Sequence, residues 1–303
     1  MYAPVVVFAY NRADHLEKTL TALSNNTLAK ETEVYVFIDG PKSEKGREAT
    51  NQVVDCLKKF ENGAFLNVQK ILSEKNKGLA KSVISGVKEI IDKYGRVIVI
   101  EDDAVSSPYY LEFMNQALDF YKDKSYVWSI GGFTVPMKLP EEYKKDVVAT
   151  QRVSSCAWAT WKDRWDKIDW SDEPYKGFRF SIGKRSKFNA WGNDRAGMYD
   201  DQMNGRINSW AIRFDYAMFT NNAVNIIPRE TLIKNIGMDG SGTHSMGEGQ
   251  SKYSSEFSKN ILWKMEDVEL CEEIRKEFCK PFHVSFFDRT KRFIGNLFYK
   301  KKR

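Results

Sequence analysis

The 303-residue sequence has few cysteines, no long hydrophobic run and only a small excess of positive charge. Its four cysteines lie far apart and form no Cys-x-x-Cys pair, which argues against a disulfide framework and favours a reducing, cytoplasmic location. No apolar stretch reaches the roughly 20 residues that a membrane-spanning helix needs. The first apolar run ends at Asn11 and has no basic segment before it, which predicts a strand and not a signal peptide.

The positive charge is concentrated at the C-terminus. The chain has 47 Lys and Arg against 41 Asp and Glu, a net charge of +6. Residues 289–303 contain seven basic residues and no acidic one, which leaves 40 basic and 41 acidic residues, a net charge of −1, in residues 1–288. Because the body of the chain has no excess of positive charge, nucleic acid is not an expected partner.

Apolar residues recur at helical spacing among the basic residues of the tail, at Phe293, Ile294, Leu297 and Phe298. A basic amphipathic helix of this kind can lie in the surface of an anionic membrane. We therefore expect peripheral membrane contact through residues 289–303, at the inner face of the membrane. The alternative is a solvated, partly disordered chain end.

Short apolar runs rich in β-branched residues alternate with amphipathic helical patterns over residues 1–105. The runs predict strands, and the helical patterns between them predict helices. The predicted strands are 5–9, 34–38, 68–72 and 97–100, and the predicted helices start near 14, 44 and 79. This alternation predicts an α/β fold with a mostly parallel, Rossmann-like sheet flanked by helices.

Beyond residue 105 the pattern becomes irregular, and six of the eight tryptophans fall within residues 152–215. Three of them, Trp158, Trp161 and Trp165, have the spacing of a buried helical stripe. Large aromatic residues usually belong to the core. The alternative is that one or two of them stack on sugar rings of an acceptor.

Polar residues follow three of the predicted strands where each strand ends: Asn11-Arg12, Asp39 and Glu101-Asp102-Asp103. In open α/β sheets, ligands bind at this edge. The three adjacent carboxylates repel one another, and a divalent cation with a diphosphate would relieve the repulsion. The alternative is a solvated turn that caps the next helix.

These segments resemble the motifs of GT-A nucleotide-sugar glycosyltransferases. Residues 5–12 look like the opening strand of that family, and residues 76–82 resemble its Asn-x-Gly-Leu-Ala segment. Glu101-Asp102-Asp103 is similar to the acidic metal motif, in the form found in N-acetylglucosaminyltransferase I-like enzymes. A weaker likeness extends to residues 242–244.

The resemblance implies a GT-A domain over residues 1–245 and a C-terminal extension over 246–303. Residues 1–105 would form the nucleotide-binding half of that domain, and residues 106–245 its irregular acceptor-side half.

The resemblance also implies roles for individual residues. Asp103 would bind Mn²⁺ or Mg²⁺, Asp102 the ribose or donor sugar, Asp39 the base, and Arg12 the phosphates. The remaining residues expected at the nucleotide-sugar site are Asn11, Lys81, Glu101, Trp210 and His244. His244 lies in a Gly/Ser-rich segment and could touch phosphate or metal; a plain exposed histidine is the alternative.

The catalytic base does not follow from the resemblance. In many relatives an acid directly follows the tryptophan of a Ser-Trp motif, but here that position is Ala211. Our hypothesis for the base is Asp201, with Asp200 and Asp215 as alternatives.

The resemblance therefore implies a metal-dependent, inverting glycosyltransferase. It would move a sugar from a nucleoside-diphosphate sugar, most simply a UDP-sugar, to a hydroxyl of a saccharide or lipid-linked precursor of a cell-surface glycan. Two alternatives stay open. A sugar nucleotidyltransferase normally has a Gly-rich basic loop after the first strand, which this sequence lacks. A nucleotide-sugar or glycan-binding protein without transferase activity would fit the missing acid at Ala211.

Overall fold

The computed structural model describes residues 1–237 and 255–299, and its main feature is one eight-stranded sheet. A separate two-stranded ribbon pairs β5 (Ala104–Ser106) with β10 (Ile233–Asn235). The strands of the large sheet are β1 (Val5–Ala9), β2 (Glu33–Ile38), β3 (Asn67–Leu72), β4 (Arg96–Glu101), β6 (Val127–Gly131), β7 (Val147–Thr150), β8 (Ala157–Trp161) and β9 (Val224–Pro228).

Helices cover both faces of this sheet, and the shorter ones lie in the C-terminal half of the described chain. They are α1 (Ala13–Ser24), α2 (Arg47–Leu57), α3 (Leu79–Tyr94), α4 (Tyr110–Tyr121), α5 (Lys162–Trp165), α6 (Glu173–Lys176), α7 (Ile182–Phe188), α8 (Arg195–Met203), α9 (Ala211–Thr220), α10 (Glu272–Phe278) and α11 (Phe286–Leu297). No helix in the described ranges is long and apolar enough to cross a bilayer.

The strand order of the large sheet is β3-β2-β1-β4-β8-β6-β9-β7. The first four strands are parallel, β8 and β7 run against their neighbours, and β6 pairs with β9 in parallel. From β1 the chain winds outward through β2 to β3 and then returns to the other side of β1 to form β4. The order therefore reverses between β1 and β4, and open α/β sheets bind ligands at such a point.

Alternate side chains of β1 pack against the helical layers on opposite faces of the sheet. Val5 and Val7 pack on one face against α1, α2 and α4, whereas Val6 and Phe8 pack on the other face against α3. A continuous apolar run predicts a strand that is buried on both faces, and β1 is such a strand. The parallel sheet flanked by helices that was predicted for residues 1–105 is therefore confirmed. The mixed α/β sheet flanked by helices is likewise confirmed.

The helical stripe predicted for the tryptophans is wrong. Trp158 and Trp161 lie on β8, and only Trp165 is helical. Residues three apart on a strand point to opposite faces, and these two side chains belong to different core clusters accordingly. All three are buried, so assigning them to the core is right even though the helix is not.

Candidate active site

Arg12 and the acidic triplet meet at the point where the strand order reverses. Arg12 follows β1, and Asp102 and Asp103 follow β4, the strand beside it. The Nη2 atom of Arg12 pairs with Asp102 Oδ1 and lies 2.9 Å from Asp103 Oδ2. One guanidinium therefore serves two buried carboxylates.

The electrostatics of this cluster are unfavourable for three negative charges. Burial, together with the charges of Asp103 and Asp102, raises the pKa of Glu101 to about 8. Burial also raises the pKa of Asp102 to about 6, against the opposing effect of Arg12. Additional positive charge at this position would lower both pKa values and stabilise the ionised cluster.

The β5–β10 ribbon brings a second segment onto Asp103. The amide of Ile236 donates to the Asp103 carbonyl over 2.8 Å, and Asn235 Nδ2 lies 3.4 Å from Asp103 Oδ1. A Cβ atom on Gly237 would lie 1.9 Å from Asp103 Oδ2, so only glycine fits there. Asn235 and Gly237 are residues to which we assigned no role from sequence, although they belong to the weaker part of the resemblance.

Asp39 links two of the predicted motifs. Its Oδ1 accepts a hydrogen bond from the Lys77 amide over 2.8 Å, and its Oδ2 accepts one from the Gly78 amide over 2.9 Å. Asn76 Nδ2 completes the link by donating to the Gly40 carbonyl over 2.7 Å. The turn after β2 and the loop before α3 are thus fixed to each other beside the end of β1.

The remaining donor-site predictions fall in different places. Asn11 and Lys81 are exposed, after β1 and in the first turn of α3. Trp210 is in the core, where its ring stacks on Trp158 with centroids 4.5 Å apart, so its face is not available to a sugar. Its neighbour Asn208, which sequence analysis missed, accepts a hydrogen bond from the Ala80 amide and fixes the start of α3. His244 lies outside the described residues.

The three candidate bases are buried, and the structure gives both oxygens of each one a hydrogen-bond donor. Asp200 is bound by Tyr175 and Arg185. Its neighbour Asp201 accepts hydrogen bonds from two residues of α11, Arg292 and Asn296.

Asp215 accepts from Arg195 Nε over 2.7 Å and from the amide of Val153 over 3.0 Å. Within the described chain, no hydrogen bond or ion pair connects any of the three aspartates to Arg12, Asp102 or Asp103. Their assignment as the base stays a prediction.

We call the sheet edge that carries Arg12, Asp102 and Asp103 the donor edge, after the sugar donor expected there. Its side chains are of the kinds that bind a metal and a diphosphate. Carboxylate oxygens are the ligands that Mg²⁺ and Mn²⁺ prefer, and Asp102 and Asp103 present them at a sheet edge. Arg12 Nη1 is buried without a hydrogen-bond acceptor among the described residues, which suits a phosphate oxygen. No three His, Cys, Asp or Glu side chains in residues 1–237 and 255–299 converge on one metal position. The residues present fit a metal that takes further ligands from its nucleotide.

Comparison with known proteins gives one family and a set of weak structural likenesses. The sequence profile of Glycosyl transferase family 2 matches residues 5–192. No curated protein sequence matches the chain. A crystal structure of S. aureus TarS 1-349 is 15% identical with a TM-score of 0.48, covering 79% of this chain and 62% of its own.

Two further TarS structures show similar or weaker likeness. The 1-349 form in complex with UDP is 14% identical with a TM-score of 0.47, covering 77% of this chain and 60% of its own. Another S. aureus TarS structure is 18% identical with a TM-score of 0.36, covering 49% of this chain and 25% of its own. The chain therefore spans less than two thirds of the length of each of these structures.

Proposed function

Because the chain belongs to glycosyl transferase family 2, we propose that it transfers a sugar from a nucleoside-diphosphate sugar to an acceptor hydroxyl. The observation that carries this proposal is the meeting of Arg12, Asp102 and Asp103 between β1 and β4. A cluster of buried carboxylates with a single cation has no structural advantage, since it costs folding free energy. It becomes favourable when a metal and a diphosphate complete it.

We propose Mn²⁺ or Mg²⁺ as the cofactor, with Asp103 as its protein ligand. When bound, the metal would neutralise the diphosphate as it leaves. Arg12 would turn from the carboxylates toward the phosphate oxygens, using its Nη1 donor. Asp102 would hold the ribose or donor sugar, and Asp39, already fixed by residues 77 and 78, would set the wall against which the base lies.

The remaining residues of the donor site are proposed on the same grounds. Asn11 and Lys81 are exposed, and under this proposal they would contact the nucleotide. Glu101, whose backbone amide is fixed to the Cys156 carbonyl over 2.8 Å, contributes negative charge behind the metal. UDP is the nucleotide we expect.

An inverting mechanism requires a base that takes the proton of the acceptor hydroxyl as its oxygen attacks the anomeric carbon. Asp201 remains our candidate, with Asp200 and Asp215 as alternatives. Each of them would first have to release the arginine that now binds it. The configuration of the product, followed by NMR from a donor of known anomeric configuration, tests the inverting assignment.

For the acceptor we propose a saccharide or lipid-linked precursor of a cell-surface glycan, at the inner face of a membrane. What supports this location is the tail helix α11, whose large apolar side chains are exposed. A nucleotide-sugar or glycan-binding protein without transferase activity is the competing proposal. It is favoured because each of the three candidate bases is paired with an arginine and so is not free to take a proton.

A thermal-shift screen of nucleoside-diphosphate sugars, with and without Mn²⁺, tests the proposal. At a hundredfold excess over Kd, a ligand stabilises its protein by about 2.7 kcal/mol. We expect a shift that requires the metal, and slow release of nucleoside diphosphate from the same donor. Asp103→Asn should lose both, whereas Asp123→Asn, an exposed control, should keep both.

The outcomes separate the two proposals. A metal-dependent shift without cleavage, over a range of saccharide acceptors, would favour the binding protein. The absence of any shift would contradict both.

A further inference from the structure

Helix α11 lies on the domain with its polar side inward. Arg292 donates to Asp201 Oδ2 from Nε over 2.8 Å, and Asn296 donates to Asp201 Oδ1 over 2.6 Å. Asn204 in turn donates to Asn296 over 2.8 Å. Asn296 is 4% exposed, so an amide occupies the position that a core-facing leucine would take in an ordinary amphipathic helix.

The fit of this polar side is close. A Cβ atom on Gly197, in α8, would lie 2.9 Å from Arg292 Cδ, so a larger residue there would displace the arginine. Arg206 donates to the Gly295 carbonyl over 2.6 Å, and Asn193 exchanges two hydrogen bonds with Val284 just before α11. The orientation of the helix is therefore set by polar contacts just before it and along its second half.

The opposite side of the helix is exposed and carries three large apolar residues and one lysine. Phe287, Lys291, Ile294 and Phe298 recur at i, i+4, i+7 and i+11, which places them in one stripe. Phe287 and Phe298 are 74% and 80% exposed, and Phe286 beside the stripe is 81% exposed. A globular protein normally turns such residues inward, so an outward stripe indicates a surface that is covered in use.

A second segment contacts α11 at Phe293, which lies between the inward and outward sides of the helix. The Arg185 guanidinium of α7 lies 5.0 Å from the ring centre of Phe293 in α11 and also binds Asp200. The same segment exposes Phe180 (66%) and Ile182 (84%). Residues 179–188 contain four basic residues and no acidic one, and residues 286–299 contain three basic residues against Asp288 alone.

We propose that the outward stripe of α11 and the α7 segment together form a docking surface for an anionic lipid bilayer. We define this docking surface as Phe180, Ile182, Phe287, Ile294 and Phe298, with the lysines beside them. The inference rests on the proposed membrane location and adds α7 to it. Large exposed apolar side chains that are flanked by cations suit insertion between anionic headgroups. Asp288 is the one acidic residue in residues 179–188 and 286–299.

Asp200 and Asp201 acquire a role under this proposal. Each binds one arginine of the two segments, Arg185 of α7 and Arg292 of α11, and so holds the docking surface in its outward orientation. They are positioning residues for membrane contact.

Co-sedimentation of the full chain with vesicles tests the proposal. With equal parts of phosphatidylglycerol and phosphatidylcholine we expect binding, and with phosphatidylcholine alone we expect much less. Phe287→Ser with Phe298→Ser should weaken binding at least about tenfold, and Phe180→Ser with Ile182→Ser should also weaken it. Lys184→Ala and Lys187→Ala should each cost roughly fivefold on the anionic vesicles.

The matched control is Leu66→Ser, which removes an exposed leucine from the far edge of the sheet, before β3. It should leave vesicle binding unchanged. None of these variants should change metal-dependent donor binding in solution, which separates this surface from the donor site.

Unchanged vesicle binding in the α11 variant would overturn the proposal. So would equal binding to both vesicle types. Light scattering tests the alternative that a second copy of the chain covers this surface. That alternative would be shown by a parent chain that is a dimer and does not bind vesicles, together with a Phe287→Ser, Phe298→Ser variant that is a monomer.

Discussion

At the donor edge two buried aspartates share one arginine, whereas in the second half of the chain four aspartates each pair with a different arginine. Arg12 serves Asp102 and Asp103, with Glu101 behind them. The one-to-one pairs are Arg152 with Asp194, Arg185 with Asp200, Arg195 with Asp215, and Arg292 with Asp201.

Under our proposal, the difference separates charges that hold the fold from charges that a metal and a diphosphate would complete. A buried carboxylate with a hydrogen-bond donor on each oxygen is satisfied, and removing it leaves the charge of its arginine uncompensated at a cost of several kcal/mol. A cluster with surplus negative charge is already strained, and removing one charge relieves it. The same substitution, aspartate to a neutral residue, should therefore change stability in opposite directions in the two halves.

The largest effect is expected at the paired aspartate in the core. Asp215→Ala leaves the Arg195 guanidinium buried without its partner and should lower the free energy of unfolding by about 3–5 kcal/mol. Urea unfolding followed by circular dichroism measures it. Asp123→Ala, at an exposed position, should stay within about 0.5 kcal/mol of the parent. A loss below about 1 kcal/mol for Asp215→Ala would remove the basis of the comparison.

The donor edge should show the reverse. Asp103→Asn should leave the melting temperature of the free protein unchanged or higher, because it removes a charge that raises the pKa of Glu101. The same variant should lower donor cleavage by roughly a hundredfold or more. Calorimetry of the free protein and a donor-cleavage assay give the two readouts. A destabilised Asp103→Asn would place this residue with the structural pairs.

A smaller effect is expected at the contact between α8 and α11. Asp201→Asn and Arg292→Gln should each loosen α11, at a cost of about 1 kcal/mol because Arg292 is partly exposed to solvent. Hydrogen exchange of residues 286–297 should rise equally in both, and the double variant should be no worse than either. If Asp201→Asn alone abolishes turnover while Arg292→Gln does not, Asp201 is the base and the pairing is secondary.

The smallest effect is expected at Arg12. Arg12→Gln removes the cation that competes for Asp103, so Mn²⁺ alone should bind roughly fivefold more tightly. The nucleotide sugar should bind more weakly, because the Nη1 donor for a phosphate oxygen is lost. Titration calorimetry with the metal alone and with the metal plus nucleotide separates the two changes. Weaker metal binding in the variant would contradict the role given to Arg12.

The fold of residues 1–105 could be predicted closely because its features are local. The strands β1, β2 and β4 are continuous apolar runs, and the polar residues at their ends follow directly in sequence. A parallel sheet brings such ends together whatever the loops do. The meeting of Asp39 with residues 76–78 follows from the same geometry, although the hydrogen bonds themselves could not be predicted.

The described residues beyond 105 could not be predicted in this way because their structure depends on pairs that are distant in sequence. Asp201 is bound by a residue 91 positions away, and nothing near it in sequence shows that it is occupied. Trp158 and Trp161 have helical spacing yet lie on a strand, because burial on both faces of β8 removes the alternation that identifies strands. The outward stripe of α11 was visible as an apolar pattern, but its orientation depends on Asn296.

The interlocked turns beside the donor edge determine where this chain can be lengthened. The loop between β3 and α3 is hydrogen-bonded to the turn after β2 through Asp39 and Gly40. A Cβ atom added to Gly40 would lie 2.6 Å from the backbone of Lys75, so the two turns are also in close contact. An inserted tag or reporter peptide in this loop would separate those turns and should not be tolerated. The connection around Gly63, by contrast, has open space at that residue, and it is where we would place one.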